Sequence, residues 1–403
     1  MKSKLLNKLF FALALVFVLA VSAPAEAGKF NTGWWCRISE VDAATLASWA
    51  GQGQTMVLVY NCHVAPGSMI TRFLDAAGAT GIKVIIGLTP VWEISASQLA
   101  AIVNTHKHHP ALYAWYLADE PELNTGKDVH YLLAVNPGYY RVIKANDPKH
   151  PVLISFNYPY NAAIWHKCRR YYDVCDIIGV HDYAKYAGDP GPWHLGEAQT
   201  QYDMWKQLAA DAKAHGKDMM ATCQGMSGGS YGVMSYAELK HSAFTAVING
   251  IDKILYWMWK PGFGFVNDAT TLKSVQSMVA ELNGVADEMK NGHTFSPAIR
   301  VNKGPDELAY RYGVHGRNHV IAAVNIKGRG RRHGGGDPLS GVAFTLPEGV
   351  DAASVNVLYE NRSLPVKNRR FTDNFTKYQV HLYQFTSAPP RHTAPSAGIT
   401  APR

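Results

Sequence analysis

Leu112-Tyr113-Ala114-Trp115-Tyr116-Leu117-Ala118-Asp119-Glu120-Pro121-Glu122 is the stretch on which the reading of this chain turns. Its first seven residues are apolar or aromatic at odd and even positions alike, as a parallel strand covered on both faces must be. Three acids then fall within four residues, and Pro121 ends the strand and stiffens the turn. With Glu120 facing the open end of a barrel, Ala118, Tyr116 and Ala114 are predicted to share its face. Leu117, Trp115 and Tyr113 then face the helices.

Seven similar runs flank this one, at 33–36, 55–61, 83–88, 152–157, 176–181, 219–224 and 253–259. Amphipathic stretches at 43–50, 69–79, 96–105, 131–145, 198–214, 236–249 and 271–289 lie between and after them. Eight strands alternating with helices over residues 28–292 predict a (β/α)8 barrel. A doubly wound open sheet would show a Gly-rich phosphate turn after its first strand, and this sequence has none. Beyond that point the texture changes to short alternating runs at 308–314, 319–325, 342–346, 354–359 and 378–384, separated by Gly, Pro and Asn. They predict a small antiparallel β-sandwich over 293–386. The insert at 327–337 holds five glycines around Arg329, Arg331, Arg332 and His333 and reads as a surface loop, while 387–403, rich in Pro, Ala, Ser and Thr, reads as a disordered tail.

The N-terminus carries Lys2, Lys4 and Lys8, an apolar run at 9–21 and Ala25-Glu26-Ala27. That pattern predicts a signal peptide over 1–27 and export to a periplasmic or extracellular space. Hydrophobic residues make up 47% and charged residues 17% of the 403 residues, which excludes global disorder. The net charge of +8 comes without a nucleic-acid-binding motif or a basic helix, so neither nucleic acid nor a membrane span is expected. A monomer is expected. Export permits disulfides, and among Cys36, Cys62, Cys168, Cys175 and Cys223 local spacing favours Cys168 with Cys175 and Cys36 with Cys62. No zinc motif is present, and no metal or cofactor is expected; His106-Lys107-His108-His109 suits the negative end of a helix.

In a barrel of this type, chemistry gathers where strands end. Those ends hold Trp92 after the third strand, Asp119 and Glu120 after the fourth, and His181-Asp182-Tyr183 after the sixth. Gln224 ends the seventh strand, and Trp257 and Trp259 end the eighth. Aromatic faces pack on the C–H faces of sugar rings, while amides and carboxylates hold hydroxyls. Such a rim suits a carbohydrate.

Ala114–Glu122 resembles the strand-four signature of (β/α)8 glycoside hydrolases of the large retaining clan, whose members usually carry Asn-Glu-Pro there. The resemblance takes in Asp147-Pro148-Lys149-His150-Pro151, the sixth strand to Tyr183, and Phe371-Thr372-Asp373-Asn374-Phe375 with Val380-His381-Leu382-Tyr383 in the β module. It implies that Glu120 is the proton donor and that Asp119 takes the place of the Asn that holds a sugar hydroxyl. It also requires a nucleophilic Glu at the end of the seventh strand, where this chain has Gln224. Glu238 lies nearby but reads as part of a capping box with Ser235.

Three readings follow. In the first, Glu120 is paired in an inverting enzyme with Asp182 as base, since the two strand ends are two apart around the mouth. Asp119 and Glu120 could instead act together, assisted by a substrate group such as an acetamide. Or the barrel binds glycan without cleaving it. A structural or adhesion protein using the β module would be a different class altogether.

Overall fold

The computed structural model describes residues 29–124, 126–127, 129–134, 138–157, 162–183, 201–229, 231–260, 262, 264, 266–291, 293–294, 299–328 and 336–387. The stretch predicted as a signal peptide, the Arg329–Arg332 cluster and the stretch predicted as a tail lie outside the described residues, apart from Ser387. Within them, parallel strands β1(Asn31–Arg37), β2(Met56–Tyr60), β3(Lys83–Gly87), β4(Leu112–Asp119), β5(Val152–Phe156), β6(Ile177–Asp182), β7(Asp218–Gln224) and β8(Lys253–Trp257) follow one another around a closed barrel. Closure is made by β1, which pairs with both β2 and β8. Helices α1(Ala43–Gly51), α2(Gly67–Thr80), α3(Ala96–His106), α4(Tyr139–Asn146), α5(Ala162–Arg169), α6(Gln201–Ala214), α7(Tyr236–Ile248) and α8(Ala269–Gly284) surround it.

Strand alternation splits the apolar residues into two sets. Trp35, Met56, Leu58, Ile85, Ala114, Tyr116, Leu153, Ile177, Met220 and Leu255 fill the barrel interior. Their neighbours, Trp34, Val57, Ile86, Trp115, Leu117, Ile154, Ile178 and Ala221, pack under the helices. The Trp115 indole confirms its outward course by donating to Asp147 Oδ2 at 2.8 Å, and the same oxygen accepts from His150 Nδ1 at 2.7 Å. Helix starts are capped where sequence signals stand: Asp42 accepts from Thr45 N, and Ser95–Gln98 and Ser235–Glu238 form capping boxes. Glu238 is thus structural.

The predicted alternation along β4 needs correction. The register slips between Leu112 and Ala114 against β3, and between Tyr116 and Ala118 against β5. Each bulge inserts one residue and exchanges the faces beyond it. Tyr113 therefore packs against the interior cluster, and Ala118 joins the helix-side layer. The second bulge brings Asp119 onto the side of Tyr116.

Other departures have local causes. The run at 131–145 is divided into a π-helical segment, Val129–Ala134, and α4, which Gly138 precedes as its N-cap. The last predicted helix stops at Gly284 and gives way to a π-turn, Asp287–Asn291. Helix α5, only eight residues long, was not anticipated. The expected disulfides are absent: all five cysteines are free and buried. Their thiols serve as small apolar groups in the helix-side layer, and burial pushes those of Cys62, Cys175 and Cys223 each up to about 12.

After the barrel come β9(His293–Thr294), β10(Arg300–Val301), β11(Leu308–His315), β12(Asn318–Asn325), β13(Leu339–Thr345), β14(Ser354–Val357), β15(Arg362–Pro365), β16(Arg370–Phe375) and β17(Val380–Thr386). They form antiparallel sheets in the orders β15-β14-β17-β12-β11-β9 and β10-β13-β16. Tyr312, Ile321, Phe344, Phe371 and Tyr383 build the core of this sandwich. The opposite face of its larger sheet, with Ala309, Val320, Ala322, Val324 and Leu382, merges with the barrel's outer layer. Helix α7 lies in the seam, its residues from Leu239 to Ile248 all buried. Among the described residues no helix is long and apolar enough to cross a membrane.

Candidate active site

The C-terminal ends of β1, β2, β4, β6 and β8 converge on one cluster. Asp119 Oδ1 accepts from the Tyr116 hydroxyl at 2.6 Å and from His181 Nε2 at 3.1 Å. The other imidazole nitrogen of His181 is paired with the Tyr183 hydroxyl. Trp35 forms the floor, its ring centroid 5.0 Å from Tyr116, 5.2 Å from His181 and 5.5 Å from Trp257. Tyr60 stacks on Trp257 at 5.8 Å, and Tyr231, from the loop after β7, meets Tyr183 edge-on at 5.5 Å.

Glu120 is held beside this cluster by backbone geometry. Its φ of +45° lies in the left-handed region, which costs a non-glycine residue about 1 kcal/mol or more. The turn is pinned from below. Glu120 N donates to Ser155 O at 2.7 Å, the Tyr171 hydroxyl to Pro121 O at 3.1 Å, and Asn157 N to Glu122 Oε1 at 2.7 Å. Burial raises the Glu120 carboxyl above the usual range; His181 opposes this and Asp119 adds to it. Burial lifts Glu122 further, to about 8, against the hydrogen bonds at its carboxylate and with repulsion from Glu120. Burial alone would lower His181, but its bond to Asp119 and the charges of Asp119, Glu120 and Glu122 outweigh that and raise it. An acid that holds its proton more tightly than usual, an imidazole biased to its charged form and an anchored carboxylate can move a proton onto a departing oxygen.

Of the residues named from sequence, Asp119, Glu120, His181, Tyr183 and Trp257 come together here. Asp182 does not. His181 follows the interior parity of Ile177, so its neighbour points behind the wall. There the Asp182 carboxylate accepts from Gln201 Nε2, from Trp205 Nε1 at 3.3 Å and from Ser242 Oγ at 3.2 Å. Its position is that of an anchor between β6 and helices α6 and α7. Trp259 also turns away, with its ring 5.7 Å from Trp34 and 5.3 Å from Trp49 of α1. Gln224 occupies the interior end of β7, fully buried, and its Nε2 donates to Met226 O at 2.9 Å and Gly232 O at 2.7 Å. Trp92 sits on the rim turn Val91–Glu93, with the Lys127 ammonium 5.7 Å from its ring, tying the loop after β3 to the loop after β4.

Trp35, Tyr60 and Tyr231 were not anticipated as site residues. The first two were legible as inward positions near the ends of the first two strands; Tyr231 gives no signal, because its place depends on loop folding. Among the described residues no group of His, Cys, Asp and Glu is arranged to hold a metal ion.

No protein-family model matches this chain, and no curated protein does. Solved structures do resemble it. One described as a glycoside hydrolase superposes with a TM-score of 0.59 at 11% identity, covering 89% of this chain and 93% of that one. An Anoxybacillus alpha-amylase gives 0.52 at 10% identity, over 89% of this chain and 98% of that one. A family 5 glycoside hydrolase from Bacteroides vulgatus gives 0.51 at 11%, with 89% of each chain covered. At such identities the likeness is one of fold: a TIM barrel followed by a β-sandwich, of the kind found in glycoside hydrolases.

Proposed function

We propose that this chain is a glycosidase that hydrolyses O-glycosidic bonds of a poly- or oligosaccharide, with Glu120 as the proton donor. The observation that carries the reading is the half-buried Glu120 carboxyl, raised in pKa and fixed on a strained turn beside an aromatic floor and the Asp119–His181–Tyr183 chain. Tyr60 and Trp257 offer ring faces to a sugar. Glu120 gives its proton to the leaving oxygen as the bond to the anomeric carbon lengthens, then recovers one from the water that completes hydrolysis. The likeness to glycoside hydrolases supports a carbohydrate substrate, and the signal-like residues 1–27 support export to where polymers occur.

Gln224 favours one other reading, a glycan-binding protein that does not hydrolyse, since an amide cannot form a glycosyl ester. Release of reducing ends from a broad polysaccharide panel separates the two. Activity that collapses in Glu120→Gln supports hydrolysis with this donor. Binding without release, equal in both proteins, supports the second reading.

A further inference from the structure

The glycosidase reading leaves open what stabilises the anomeric carbon once Glu120 has protonated the leaving group. Resting on that reading, we infer that the sugar at the reacting subsite carries a 2-acetamido group. The oxygen of that group attacks the anomeric carbon, and Asp119 holds the amide N–H.

The two positions from which a second protein carboxylate was expected do not supply one. Gln224 is an amide whose nitrogen is committed to two loop carbonyls. Asp182 lies behind the wall of β6, holding Gln201, Trp205 and Ser242. Asp119 is differently equipped. Both of its donors, the Tyr116 hydroxyl and His181 Nε2, converge on Oδ1, and no hydrogen bond to Oδ2 is made among the described residues. The side chain is 39% exposed, so one oxygen is fixed while the other is open to a ligand. A carboxylate so held can accept one N–H in a set direction.

Asp119 is poorly placed to be a nucleophile. It and Glu120 are consecutive at the end of one strand, whereas an acid and a protein nucleophile must stand on opposite sides of the anomeric carbon. An amide attached to the sugar itself removes that requirement. In the same mouth the half-buried Trp257 stands 5.5 Å from the buried Trp35 and 5.8 Å from the half-buried Tyr60, leaving aromatic surface suited to a methyl group.

The step balances within substrate and protein. The acetamide carbonyl oxygen forms a bond to the anomeric carbon as the glycosidic C–O bond breaks, and the leaving oxygen takes the Glu120 proton. The resulting oxazolinium keeps its N–H on Asp119. Water then attacks the anomeric carbon, giving its proton to Glu120, and the ring reopens to the acetamide with the anomeric configuration retained.

The test uses matched oligosaccharides, in gluco and galacto series, that differ only at the 2-substituent: N-acetyl, N-trifluoroacetyl or hydroxyl. Cleavage of the N-acetyl members at least a hundredfold faster than the hydroxyl members, with retained product anomer and at least tenfold slowing by trifluoroacetyl, is the expected result. Asp119→Asn, checked for folding by circular dichroism, should lower kcat on N-acetyl substrates a hundredfold or more. Hydroxyl members cleaved within tenfold of their N-acetyl partners would overturn the inference and leave the glycosidase reading standing. No cleavage of these or of the broad polysaccharide panel would sink both.

Discussion

Glu122→Gln tests whether the turn that presents Glu120 rests on a neutral acid. Glu122 is 0% exposed, and its pKa is raised from 4.5 to about 8, chiefly by burial. Below pH 4.5 the carboxyl is protonated in folded and unfolded chains alike and costs nothing extra. As pH rises, the unfolded chain releases this proton first, and stability falls until the folded carboxyl also ionises near 8. The fall is about 1.4 kcal/mol per pH unit, so between pH 4.5 and pH 7 it reaches about 3 kcal/mol. Glutamine is neutral throughout, and its carbonyl can still accept from Asn157 N as Glu122 Oε1 does at 2.7 Å. Any cost of placing the amide NH2 is independent of pH. Urea unfolding of both proteins at pH 5, 6 and 7 should show the variant gaining on wild type by about 1.4 kcal/mol at each step. A difference that stays constant with pH would refute the reasoning, because it would mean Glu122 is already ionised in the folded protein.

Two further outcomes follow from the geometry. Asp182→Asn should leave kcat within threefold while lowering the melting temperature, since the carboxylate anchors Gln201, Trp205 and Ser242 behind the barrel wall; a thousandfold loss of kcat with an unchanged melting temperature would restore it as a base. His241 is lowered to about 4 by burial, against Asn325 O and Glu238, so stability should fall by about 3 kcal/mol as pH drops from 6.5 to 4. His241→Leu should lose that acid-side slope in urea unfolding, and a variant as acid-sensitive as wild type would show the assignment to be wrong.

Much of the fold was legible because it depends on patterns that survive in one dimension. Eight two-faced apolar runs alternating with helices leave few alternatives to a barrel, and the Ser95 and Ser235 capping boxes announce their helices. The site was legible in part. Asp119 and Glu120 stand out as acids at a strand end, and strict alternation should have separated His181 and Tyr183 from Asp182. The bulges in β4 carry no sequence signal, yet they decide that Asp119 faces the mouth and Ala118 does not. Trp259 lies two residues beyond β8, where strand parity no longer applies. The network of Arg362 with Glu360 and Asp373 in the sandwich is built from residues that read as ordinary loop and edge polarity.

Helix α7 has no outside. Ten consecutive residues, Leu239 to Ile248, are shut away, with the barrel on one flank and the sandwich on the other, where His241 donates to Asn325 O at 3.0 Å. A helix that would be half wet in a free-standing barrel has lost its solvent face to the neighbouring module. Cutting the chain after α8 would uncover a greasy stripe on the very helix that follows the strand bearing Gln224. The two modules are therefore not interchangeable parts: a recombination event that supplied a different partner would have to supply the wall of α7 with it.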